Sequence, residues 1–167
     1  LGHRGVSSVG GSPAEANMRA SAESRLQGVR DAQAAHPELT VTNLQVPRGA
    51  TETSAALNAV LTAPAGTTAF CFEDDELALP VLYRLRQYGK RVPQDISIGG
   101  FDDVEMSQAV GLTTMRQDPL AMGADAGRMA LEAIAGGPIE PAFIQPDAPL
   151  VLRETTAPRA APVPAQG

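Results

Sequence analysis

The stretch Val92-Pro93-Gln94-Asp95-Ile96-Ser97-Ile98-Gly99-Gly100-Phe101-Asp102-Asp103 reads as a proline-marked turn, a buried strand over Ile96 to Phe101, and two carboxylates at the strand's end. A short apolar run of this length bounded by turn residues is the signature of a strand covered on both faces. The same arrangement occurs upstream, where Thr67 to Phe72 forms an apolar strand that runs into Glu73-Asp74-Asp75-Glu76. Leu77, Val81, Leu82 and Leu85 then recur at helical spacing up to Gly89.

Working outward, Val6 to Val9 predicts a strand closed by Gly10-Gly11-Ser12-Pro13, and the alanine-rich segment from Ala20 to Ala35 predicts a helix. Leu39 to Val46 returns to strand composition and Thr51 to Leu61 to a short helix. Asp118-Pro119 opens a further helix, since the aspartate can accept from free backbone N–H groups and the proline is already fixed at a helical φ. Gly136-Gly137-Pro138 closes it, and Leu120, Gly123, Ala124, Gly127, Leu131 and Ile134 give it one small-and-apolar stripe. Leu150 to Leu152 is a last short strand, and the Ala/Pro-rich tail 157–167 is expected to be disordered. Strands alternating with helices predict the α/β class: a three-layer α/β/α arrangement with a parallel sheet covered on both faces.

Composition removes several classes of function. With 167 residues the chain can build one α/β domain. No apolar run approaches the roughly 18 residues of a membrane helix, so no membrane partner is expected. The formal charge is −6 and the single lysine is Lys90, which excludes the clustered basic surface that phosphate-backbone binding needs. Cys71 is the single cysteine; it lies in an apolar strand and reads as core. His3 and His36 stand alone and read as surface or packing residues. No Cys/His spacing suits zinc, and Gly10-Gly11-Ser12-Pro13 lacks the spacing of a phosphate loop, so no metal or cofactor is expected. Leu1-Gly2-His3-Arg4 carries no initiator methionine and no signal pattern, and is read as a cut inside a longer protein.

In an open parallel sheet, ligands bind beyond the carboxyl ends of the strands. Three such ends are legible: Gly10-Gly11-Ser12, Glu73-Asp74-Asp75 and Asp102-Asp103. Arg25, near the start of the first long helix, is expected to point toward the same rim. Carboxylates accept from paired hydroxyls and a guanidinium donates in a fixed fork, so this rim suits a polar, sugar-like ligand. The competing reading is that acids after strands cap the next helix, and on pattern alone Asp75 and Asp103 are read as structural.

Several separate motifs, in order, resemble the second subdomain of lac/gal-type (LacI/GalR) transcription regulators. They are Leu1-Gly2-His3-Arg4 with the strand ending Gly10-Gly11, Arg25-Leu26-Gln27-Gly28, Phe72 to Leu79, Val92 to Asp103, Leu112 to Pro119, Met122-Gly123, and Leu150 to Thr156. The resemblance covers nearly all of the chain except the tail. It implies a periplasmic-binding-protein-like core of type I, of which residues 1–156 form the C-terminal part. In that fold a small effector, expected to be a sugar, sits in the cleft between two subdomains. By position, Arg25 corresponds to an effector-contacting arginine, Asp74 to a site usually held by asparagine, and Asp102 to an effector-binding aspartate, while Gln117 lines the cleft.

The resemblance further implies a cytoplasmic homodimer that reaches DNA through an N-terminal helix-turn-helix absent from these residues. The helix at Leu77 to Tyr88 and the loop after Asp103 resemble the family's dimer surface. The helix over 118–137 is implied to pack on the missing first subdomain, leaving its stripe uncovered here. The chain is thus read as non-enzymatic. Two alternatives are an exported periplasmic-type sugar-binding protein of the same fold and a magnesium-dependent, receiver-like phosphotransfer domain. The latter lacks a lysine following a strand and an Asp-x-Asp after the first strand.

Overall fold

The computed structural model describes residues 1–11, 19–137 and 147–159, with the side chains of 19–22 excepted. The elements run β1 (Gly5–Gly11), α1 (Arg19–Ala35), β2 (Thr40–Val46), α2 (Glu52–Leu61), β3 (Thr67–Phe72), α3 (Asp75–Gln87), β4 (Ser97–Asp102), α4 (Glu105–Val110), β5 (Thr113–Arg116), α5 (Pro119–Ile134) and β6 (Leu150–Val151). They build one six-stranded sheet in the order β2-β1-β3-β4-β5-β6. The first five strands pair in parallel and β6 joins antiparallel to β5. Right-handed crossovers in this order place α1 on one face and α2 and α3 on the other.

The hydrophobic core lies between the sheet and the α2/α3 layer. Val9, Phe70, Phe72 and Ile98 come from the strands; Ala56, Leu57, Val60, Leu77, Ala78, Val81, Leu82 and Leu85 come from the helices. On β3 the period of two is plain, with Phe70 and Phe72 buried on this side. Cys71, between them, points to the opposite face and is exposed, correcting its reading as a core residue. Among the described residues that face is covered only in part, where the sequence reading expected cover throughout: α1 packs on β1 and β2, and α5 buries none of its residues. The apolar run of β3 therefore marks a strand packed on one side at Cys71.

Two elements lie beyond the sequence expectation. Thr113–Arg116 is a strand, and the segment after Asp103 carries the six-residue helix α4. Residues 157–159 also depart from a disordered tail. The Ala157 N–H donates to Ser97 Oγ at 3.3 Å, its carbonyl lies 3.0 Å from His3 Nε2, and the Arg159 N–H donates to the Leu1 carbonyl at 2.7 Å. His3, with Nδ1 2.8 Å from Thr68 Oγ1, is thus a packing residue that ties the two chain ends to the sheet. Residues 160–167 lie outside the described part.

Candidate functional site

The carboxyl ends of β1, β3, β4 and β5 line up along one rim of the sheet. Asp102 ends β4 with φ 116°, and Asp103 follows with φ 61°. Two successive non-glycine residues at positive φ are uncommon and persist only where surrounding contacts hold them. The Gln117 side-chain amide donates to Asp102 Oδ1, and the Gln117 N–H donates to the Asp102 carbonyl at 3.2 Å.

Asp103 is fixed by two cations. Arg116 Nε donates to its Oδ2 at 2.6 Å, and Arg153 Nη2 lies 2.6 Å from its Oδ1. Arg153 also donates to the Leu112 carbonyl at 2.7 Å. Burial by itself would raise the Asp103 pKa, but the bonds from Arg116 and Arg153 overcome it and hold the carboxyl below the usual range.

Asp74 does two things. Its Oδ1 accepts from the Leu77 N–H at 2.7 Å, capping α3, and its Oδ2 lies 3.3 Å from Arg48 Nη1. Helix capping thus falls on Asp74 itself. Asp75, one residue on, is fully buried and belongs to the interior. Arg48 also pairs with Glu52 at 3.1 Å and with Glu73, so that one guanidinium spans the ends of β2 and β3. Nothing local in the sequence marks Arg48, 26 residues before Asp74.

Arg25 reaches the same rim from α1, with its guanidinium carbon 4.5 Å from the centroid of the Phe101 ring. It acts electrostatically on Asp102. Burial pushes the Asp102 carboxyl above its ordinary range, and the like charges of Asp74 and Asp75 add to this. The Gln117 hydrogen bond and the Arg25 charge oppose it.

The four residues singled out from the sequence therefore gather at one rim. Asp102 and Gln117 are in direct contact, while Arg25 and Asp74 flank them. Asp75 and Asp103, read as structural, are held within the protein. Among the described residues no group of three His, Cys, Asp or Glu could hold a metal ion. A surface concavity of about 500 Å³, lined by Leu1, His3, Arg4, His36 and Leu39 among others, lies at the opposite, amino-terminal ends of the strands and contains no rim residue. No helix of the described residues is long and apolar enough to cross a membrane.

Comparison with known proteins follows the same lines. Residues 1–156 match the family described as a periplasmic binding protein-like domain. The HTH-type transcriptional repressor PurR of Vibrio cholerae serotype O1 (strain M66-2) is 31% identical over 144 residues, covering 83% of this chain and 42% of the repressor. A LacI family transcriptional regulator from Mycobacterium smegmatis superposes with a TM-score of 0.75 at 27% identity, covering 96% of this chain and 60% of that one. One from Enterococcus faecium, solved with bound ribose, gives a TM-score of 0.78 at 23% identity, covering 95% and 59%. The chain thus spans less than half of the curated repressor it matches. Fold and homologues agree: the chain belongs to the periplasmic binding protein-like domain family, and the proteins it resembles are transcriptional repressors and LacI family regulators.

Proposed function

We propose that the chain is the effector-sensing part of a bacterial DNA-binding transcription regulator and that Arg25, Asp74, Asp102 and Gln117 contact a sugar in an inter-subdomain cleft. The observation that carries this reading is the Asp102–Gln117 pair at the sheet's carboxyl rim, with Arg25 stacked on Phe101 beside it. A carboxylate and an amide together accept and donate to vicinal hydroxyls, and a guanidinium above an aromatic ring adds a planar donor. A ligand lacking a matching hydroxyl leaves polar groups unpaired at about 1–3 kcal/mol each, which makes the rim selective. The relative solved with bound ribose supports a sugar as the ligand class.

The rest of the mechanism is allosteric and not catalytic. Effector closes the cleft against a first subdomain, on which α5 packs, and the closure alters how a cytoplasmic homodimer presents its helix-turn-helix heads to DNA. To swing a two-state balance from 1:99 to 99:1 the effector must prefer one state by about 5.5 kcal/mol. Calorimetric titration of a neutral sugar panel into the intact protein, repeated with Arg25→Ala and Asp102→Ala, tests the reading. Binding by the parent and loss in both variants is the expected result; equal binding in all three overturns the site.

A further inference from the structure

The two acid pairs at the rim divide their labour in the same way. Asp74 and Asp102 face the rim, while the next residue of each pair turns inward and is held by the protein. Asp75 is the more deeply placed of the inward pair, with none of its surface exposed. Its Oδ2 accepts from Ser107 Oγ at 2.6 Å and from the Val104 N–H at 3.2 Å, and its Oδ1 accepts from Thr114 Oγ1 at 2.7 Å. One carboxylate thus joins the first turn of α3 to the loop after Asp103, to α4 and to β5. The fit is close enough to require glycine at 100, because a Cβ there would overlap Asp75 Oδ1.

We propose that Asp75 is a positioning residue of the effector rim: it fixes the loop that follows Asp102 against the helix that begins beside Asp74, and so sets how the two rim acids stand to each other. This rests on the reading that Asp74 and Asp102 contact the effector. Without the Asp75 tether, Val104 loses its N–H acceptor and the left-handed pair Asp102-Asp103 loses its anchor on the α3 side. The gatherings at Gln117, Arg116 and Arg153 then hold the loop from the β5 and β6 side alone.

Asparagine at 75 separates geometry from charge. Its carbonyl oxygen still accepts from Val104 and Ser107, and its NH2 meets the Thr114 hydroxyl, which can rotate to accept. The groups acting on Asp102 are Asp74 and Asp75 from the start of α3, Arg25 from α1 and Gln117 beyond β5. Asp75→Asn removes one like charge from that set, so the Asp102 carboxyl titrates lower while the loop keeps its place.

The test compares Asp75→Ala, Asp75→Asn and Asp75→Ser in the intact protein, reading Val104 amide exchange, the Asp102 carboxyl titration by 13C NMR, and affinity for the sugar that the parent binds. Expected for Asp75→Ala is fast Val104 exchange and affinity weaker by about tenfold, the scale of one lost charge-assisted hydrogen bond. Asp75→Asn restores exchange protection and affinity and lowers the Asp102 titration. If Asp75→Ala does not fold, Asp75→Ser, which keeps a polar group there but is one bond too short to reach the Val104 N–H, is read for the same loss. Parent-like Val104 protection and affinity in the folded Ala variant, or in the Ser variant standing in for it, overturns the proposal. A parent that binds no sugar defeats the functional reading alone, since exchange and titration still report the positioning in the ligand-free protein.

Discussion

Gln117 holds Asp102 twice, by its side-chain amide at Oδ1 and by its backbone N–H at the carbonyl. The residue that leaves the last parallel strand thereby grips the residue that ends the one before it. The grip stabilises the Asp102 carboxylate, yet burial and the neighbouring acids still leave its pKa raised. The folded chain keeps this proton to a higher pH than the unfolded chain does. Stability therefore falls as pH rises from the ordinary carboxylate value through the raised one, and the penalty persists at neutral pH. Asp102→Asn is expected to melt above the parent at neutral pH, with the difference closing under acid conditions, and to lose sugar binding. Thermal melts at the two pH values check the first part and calorimetry the second.

Asp103 has the opposite sign. Its lowered pKa means that the folded chain binds fewer protons, so its contribution is present above the ordinary carboxylate value and is lost as pH falls through the depressed one. Asp103→Ala leaves Arg153, whose side chain is 14% exposed, facing a lost partner. The expected cost is about 1–3 kcal/mol at neutral pH by denaturant unfolding, with a shallower acid limb than the parent.

Gly100→Ala tests the packing beneath the rim. The added methyl collides with a carboxylate that three donors hold in place and also crowds Leu112. A loss of about 1–3 kcal/mol is expected, the range for overpacking a filled interior, and it should be read from a denaturant melt. Gly28→Ala, in α1 with open space around it, is the control and should be neutral or stabilising.

On α5, Leu120 is 84% exposed, Leu131 69% and Ile134 82%. An uncovered apolar stripe recruits a partner. The 167-residue chain by itself is expected to sediment above its monomer mass, and Leu131→Glu with Ile134→Glu to return it to monomer. A parent that sediments as a monomer, with α5 amides protected from exchange, would contradict this.

The alternation of β1 to β4 with their helices was legible because β3 and β4 are short apolar runs and β1 and β2 are β-prone segments, each closed by turn residues. β5 was not, since Thr113, Thr114 and Arg116 carry no such pattern. Its threonines are buried because Thr155 and Asp75, 42 and 39 residues away, supply partners for the Thr113 N–H and the Thr114 hydroxyl. Periodicity cannot display pairing at that range. The same limit hid Arg48 and the arginine pair on Asp103, whereas Arg25, Asp74, Asp102 and Gln117 were reached through the order of motifs. Cys71 was misread because an apolar run does not tell which face of a strand a helix will cover.

The seam made by Thr155 carries a consequence for how the chain is made. Its carbonyl receives the Ile98 N–H at 2.8 Å and its hydroxyl bonds the Ile98 carbonyl at 2.7 Å, so the penultimate stretch of the described chain finishes a central strand laid down far earlier. During synthesis from the amino end, β4 and β5 wait with open hydrogen-bonding edges until residues 150–156 clear the ribosome. A chain cut short before Leu150 would carry an adhesive flank and be a substrate for chaperones and proteases instead of a slightly shorter domain.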